Sequence, residues 1–145
     1  LPFSSFKTLT EFQLSRLSLL FDTVYVSCKD KSKFHFEASF IEDIESNDIF
    51  APTAGFIASF EEIDSDKIFV ISVDSPFISE YEISKIIKED NETLDAVVAK
   101  TKQGMQPMCG VYHRSLAAKF QDMQETNTHK LGQLLKSSHT KYIYF

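Results

Sequence analysis

Short apolar runs rich in β-branched residues alternate along the chain with segments in which apolar residues recur every three or four positions. That alternation predicts an α/β, Rossmann-like three-layer domain built on a mostly parallel sheet. Leu9, Phe12, Leu17 and Leu20 keep a helical spacing up to Phe21, and Thr8 with Glu11 supplies a capping-box start. Asp22 and Thr23 break this helix; Val24-Tyr25-Val26 then reads as a short strand, followed by a charged loop from Lys29 to Lys33. Ala38 to Ile41 reads as a second strand ending on Glu42-Asp43, and a helix is predicted from Ala51 through Phe60 with Pro52 in its first turn.

The run Ile68 to Val73 is nearly all apolar, the pattern of a central parallel strand covered on both faces. Ser79 and Glu82 form a second capping box, with Ile78 placed as a hydrophobic staple and Ile83, Ile86 and Ile87 as the buried stripe. Further strands are predicted at Leu94 to Ala99 and Met108 to Tyr112, then a helix carrying Leu116, Ala117, Phe120 and Met123. Thr128 is placed to cap a short last helix with Leu131, Leu134 and Leu135, and Lys141 to Phe145 is strand-like.

Composition narrows the function classes. With 145 residues, 43% of them hydrophobic, the chain fits one domain that buries roughly two-thirds of its unfolded surface. A net charge of -6 and the lack of a basic, aromatic-interleaved run argue against nucleic acid as a partner. No run of 18 apolar residues predicts a membrane span. Cys28 and Cys109 stand too far apart for a Cys-x-x-Cys pair, which fits a reducing compartment with both packed as small hydrophobes. There are only 4 glycines, where average usage predicts about 10. Because it opens on Leu1 and stops within an apolar pattern, the chain is expected to be truncated at both ends.

In open α/β sheets ligands sit beyond the carboxyl ends of the strands. Three predicted strands end on polar groups there: Ser27, Glu42-Asp43, and Asp74 within Val73-Asp74-Ser75-Pro76-Phe77. Two carboxylates on one rim make a hard oxygen site suited to Mg²⁺ with phosphate oxygens and water, the setting of phosphoryl or nucleotidyl transfer. Asp74 has a bland alternative as an Asx-turn or helix cap, but Ser79 already serves as the cap. Asp43 lies in an acid-rich stretch that also reads as a solvated loop, and a serine at a strand end such as Ser27 is commonplace. The segment Lys100 to Pro107 brings two lysines to the same rim, where it either steers an anion or forms a solvated hairpin. The four histidines lack a Cys or His partner at zinc-ligand spacing, and no Gly-x-Ser-x-Gly elbow occurs.

Taken in order, these segments resemble the molybdenum cofactor guanylyltransferase (MobA-like) family. The resemblance rests on Lys7-Thr8-Leu9, Leu20 to Ser27, Ile41-Glu42-Asp43, Ala51-Pro52-Thr53-Ala54-Gly55, Val73 to Phe77 and Gln106 to Leu116, and so covers nearly the whole chain. It implies a bacterial cytoplasmic enzyme that transfers GMP from GTP to the molybdenum-molybdopterin cofactor, releases pyrophosphate, and serves cofactor-biosynthesis proteins and recipient molybdoenzymes. The family's metal-holding acid falls on Asp74, with Mg²⁺ as the implied cofactor; its nucleotide-contacting positions fall on Asp43 and Ser27, the latter often Asn in the family. The family's glycine-rich, triphosphate-wrapping loop would precede Leu1, and its closing Asn-x-Asn-Thr-Pro segment would follow Phe145, so both are missing here. Competing readings are a nucleotidyltransferase using CTP or a sugar phosphate, a phospho-receiver-like signalling domain, and a non-catalytic nucleotide-binding remnant.

Overall fold

A computed structural model describes residues 8–42, 52–75, 78–128 and 130–145. Helix α1 (Leu9–Leu17) starts where Thr8 Oγ1 accepts the Glu11 amide at 3.1 Å. It ends earlier than its apolar spacing suggests, because the chain tightens into i→i+3 turns through Leu20. Strands β1 (Tyr25–Cys28) and β2 (Ser39–Glu42) pair in parallel. Helix α2 (Thr53–Glu62) leads to β3 (Lys67–Ile71), and α3 (Glu80–Lys88) carries the complete Ser79–Glu82 capping box.

Strands β4 (Ala96–Thr101) and β5 (Gly104–His113) form a hairpin. The predicted loop Lys100 to Pro107 is therefore mostly strand, with only Lys102 and Gln103 turning and Gly104 taking a φ of +113°. Pro107 obscured the first half of β5 in the sequence. It is tolerated because the register slips between Val98/Gly110 and Ala99/Gln106, leaving it outside the regular ladder. At that slip the backbones crowd: a Cβ on Gly110 would lie 2.4 Å from the Val97 carbonyl oxygen.

Helices α4 (Ala117–Glu125) and α5 (Leu131–Lys136) precede the last strand, β6 (Thr140–Tyr144). Thr128 does not cap α5: Lys130 holds the N-cap position, and the Thr128 hydroxyl donates to the Thr126 carbonyl at 3.3 Å.

One sheet has the order β3-β5-β4-β6, with β5 alone antiparallel to its neighbours; β1 and β2 form a separate pair. The fold is thus Rossmann-like α/β, as the alternation predicted, with β3, β4 and β6 running one way and β5 against them. Side chains alternate across β4: Ala96 and Val98 join a core with Phe56, Phe60, Phe120 and Leu135 from α2, α4 and α5. Val97 and Ala99 join Cys109, Val111, Ile143 and Ile86 on the α3 side. The strand buried on both faces is therefore β4, not β3. Every residue of β3 keeps some exposure, since among the described residues it pairs only with β5 and its other edge faces open space.

Candidate active site

That space is a cavity of about 940 Å³, lined along their full lengths by β1 and β3. Leu14 and Leu17 of α1 and Phe56 of α2 also line it. Phe21, just past α1, stacks on Phe69 of β3 with ring centroids 5.4 Å apart, so α1 sits on the α3 side of the sheet.

Ser27 lies within β1 rather than at its end, and it is exposed to the cavity. Its Oγ stands 3.2 Å from where a Cβ of Gly55 would be, so the glycine lets the first turn of α2 settle against it. Asp74 lies on a turn three residues past the end of β3. It is exposed, beside the cavity-lining pair Ser72 and Val73. The Ser72 hydroxyl donates to Asp74 Oδ1, the Ser72 amide donates to the Met108 carbonyl at 3.0 Å, and the Ser75 amide closes the turn onto Ser72 O at 3.2 Å. Ser27 and the Asp74 turn therefore border one cavity. Asp43 lies outside the described residues; its neighbour Glu42 accepts the Lys31 amide at 3.0 Å.

Two polar residues of the region escaped the sequence reading. Gln13 and Arg16 are only 4% and 8% exposed. Arg16 Nε donates to Gln13 Oε1 at 2.7 Å, and both side chains reach the segment around Asp74. Their signal was present, since they occupy the i+4 and i+7 positions from Leu9 on the stripe assigned to apolar residues.

Cys109 is buried on the α3 side; burial first, then the Glu82 charge, raise its thiol pKa to about 11, with Arg16 opposing. It is a packing residue rather than a nucleophile. Among the described residues, no group of three or more His, Cys, Asp or Glu stands together to hold a metal. Asp74 is a hard carboxylate of the kind that would hold Mg²⁺ together with phosphate oxygens and water. No helix among the described residues is long and apolar enough to cross a membrane.

The MobA-like NTP transferase domain family matches residues 1–141. The chain belongs to that family. It is similar to the molybdenum cofactor guanylyltransferase of Campylobacter jejuni serotype O:6, 34% identical over 140 residues that make up 96% of this chain and 72% of the relative. The molybdenum cofactor guanylyltransferase of Helicobacter pylori strain G27 is 27% identical over all 145 residues and 70% of its own length. Among solved structures, molybdopterin-guanine dinucleotide biosynthesis protein A of Archaeoglobus fulgidus superposes with a TM-score of 0.78 at 21% identity, covering 99% of this chain and 73% of that one. A protein from Aquifex aeolicus gives 0.74 at 22% identity, covering 99% and 80%. Family membership makes the chain a nucleotidyltransferase and sets aside the phospho-receiver reading.

Proposed function

We propose that the chain is the core of a cytoplasmic, Mg²⁺-dependent guanylyltransferase that moves GMP from GTP to the molybdenum-molybdopterin cofactor and passes the product toward molybdoenzymes. The observation that carries this reading is the 34% identity with the Campylobacter jejuni enzyme across 96% of the chain. A phosphate oxygen of the pterin forms a bond to the α-phosphorus of GTP. The bond from that phosphorus to the β-phosphate oxygen breaks, and its electron pair leaves with pyrophosphate. When bound, Mg²⁺ neutralises charge on the phosphate oxygens and on the departing pyrophosphate.

Asp74 is the metal-holding carboxylate, and its exposed place on a turn pinned to Met108 supports that role. Ser27, on the cavity wall beside the first turn of α2, and Asp43 contact the nucleotide.

The break in the sheet supports reading residues 1–145 as part of a longer transferase domain. A strand entering before α1 through a right-handed crossover would lie beside β1, and β2 already holds one edge of β1. The cavity is at the other edge.

The test is pyrophosphate release by the polypeptide of the whole reading frame, supplied with Mg²⁺, molybdopterin cofactor and either GTP or CTP. GTP-dependent turnover is expected. Asp74→Ala should lower kcat at least ~10²-fold, since a lost metal clamp costs several kcal/mol. Turnover with CTP alone would reassign the base, and a near-normal rate for Asp74→Ala would sink the metal role. Residues 1–145 alone should bind GTP more weakly than the whole polypeptide in calorimetry.

A further inference from the structure

The two buried polar side chains of α1 are spent almost entirely on one short segment. Burying a guanidinium is costly unless its donors are matched. Arg16 Nη1 donates to the Ile78 carbonyl and stands 3.5 Å from Glu80 Oε1; Nη2 reaches the Ser75 carbonyl at 3.5 Å. The Phe12 ring covers the guanidinium at 5.6 Å. Nε holds Gln13 Oε1, which leaves Gln13 Nε2 facing the carbonyls of Ser72 and Val73 at 3.4 and 3.5 Å. The pair thus grips backbone on both sides of Asp74, at 72 and 73 before it and at 75 and 78 after it.

We infer that Gln13 and Arg16 are positioning residues that hold the Asp74 carboxylate where a divalent cation and its phosphates meet it. The inference rests on the reading of Asp74 as the metal-holding acid. Stability alone does not call for this arrangement, because well-packed apolar side chains in place of a buried charge are often neutral or stabilising. What a planar fork with a second amide adds is a fixed backbone geometry. A carboxylate ligand on an exposed turn depends on that geometry, because groups behind a metal ligand set its orientation.

The test measures Mn²⁺ binding, in the presence of GTP, from the electron paramagnetic resonance signal of the free ion, using the whole-reading-frame polypeptide. Thermal midpoints are recorded alongside. Arg16→Lys keeps the charge and the stem but loses the fork; Gln13→Met keeps the bulk but drops both polar ends. Each should weaken Mn²⁺ binding ~10-fold while the protein stays folded at the assay temperature. The Mg²⁺ concentration for half-maximal turnover should rise in parallel, with kcat recovered at saturating Mg²⁺. A purely structural role would lower the thermal midpoint and leave the affinity of the folded protein unchanged. Unchanged Mn²⁺ affinity in folded Arg16→Lys and Gln13→Met overturns the inference. Asp74→Asn separates the two levels: if it too leaves Mn²⁺ binding intact, the metal assignment fails and takes the positioning role with it.

Discussion

The two sheets meet opposite demands. In the four-stranded sheet three ladders run side by side, and apolar clusters cover both faces, so Ala96 to Ala99 are at most 2% exposed. The β1–β2 pair has one ladder of four residue pairs, and Ile41 is its one buried side chain. Its open edge borders the 940 Å³ cavity, and Ser27 faces into it. Stability is concentrated in one half and room for a ligand in the other, the division expected where binding elements come from the low-stability end of a fold.

The largest effect that separates the halves is the removal of an aromatic ring. Phe120 is fully buried and stacks on Phe56 with centroids 4.4 Å apart and planes at 7°. Phe120→Ala should cost about 4 kcal/mol in urea unfolding. Phe21→Ala removes a half-buried ring stacked on Phe69 at the cavity and should cost less than half as much. Equal costs would mean that the cavity side is packed as firmly as the core.

Gly110 sharpens the contrast from the backbone side. An added methyl would meet Val97 O at 2.4 Å, Val98 Cγ1 at 2.7 Å and Val98 Cα at 2.9 Å, inside the best-packed strand pair. Gly110→Ala should destabilise by about 3 kcal/mol. At Gly55 the neighbour is a single serine Oγ at 3.2 Å, which can rotate away. Gly55→Ala should therefore fold and act through Ser27, raising the KM for GTP.

Local signals in the sequence survived intact. Ser79 and Glu82 make the predicted reciprocal cap, and Thr8 takes the Glu11 amide as its spacing implied, because each needs only a few consecutive residues. Features that depend on distant partners were not legible. The antiparallel run of β5 was hidden by Pro107 and two glycines, which only the register slip against β4 accommodates. Gln13 and Arg16 read as ordinary helix positions because their carbonyl partners lie about sixty positions away. Ser27 lines the cavity from within β1 rather than from a strand end, and the Asp74 turn adjoins the cavity through Ser72 and Val73. The position of β3 at an open edge could not be foreseen, since its apolar run looks the same beside a neighbour strand as beside a cavity.

Amide exchange measures the same contrast without substitutions. Amides bonded in the β4–β5 and β4–β6 ladders should exchange only on global unfolding. Those of the β1–β2 ladder should open at about 2 kcal/mol less, a factor of ~30. Uniform protection across both sheets would show that the halves unfold as one unit.

The smallest effect compares two carboxylates at opposite ends of the strands. Asp74, at the carboxyl end of β3, has one oxygen engaged by the Ser72 hydroxyl. Asp95, just before β4, has both engaged: the Ser115 hydroxyl donates to Oδ1 at 2.6 Å and the His139 amide to Oδ2 at 2.9 Å. Those two bonds, the hydroxyl first, hold the Asp95 pKa below the usual carboxylate value against a smaller opposing effect of burial. A folded-state pKa that is depressed contributes stability above the unfolded value of about 3.9. That contribution is lost as pH falls through the lower folded value. Asp95→Asn, which keeps the shape and removes the charge, should thus cost about 1 kcal/mol at pH 7, allowing for partial exposure. The difference from the parent should shrink once pH falls below about 4. Asp74→Asn should leave unfolding at pH 7 nearly unchanged, and a loss equal to that of Asp95→Asn would mean that the Asp74 turn, like the start of β4, is held for stability.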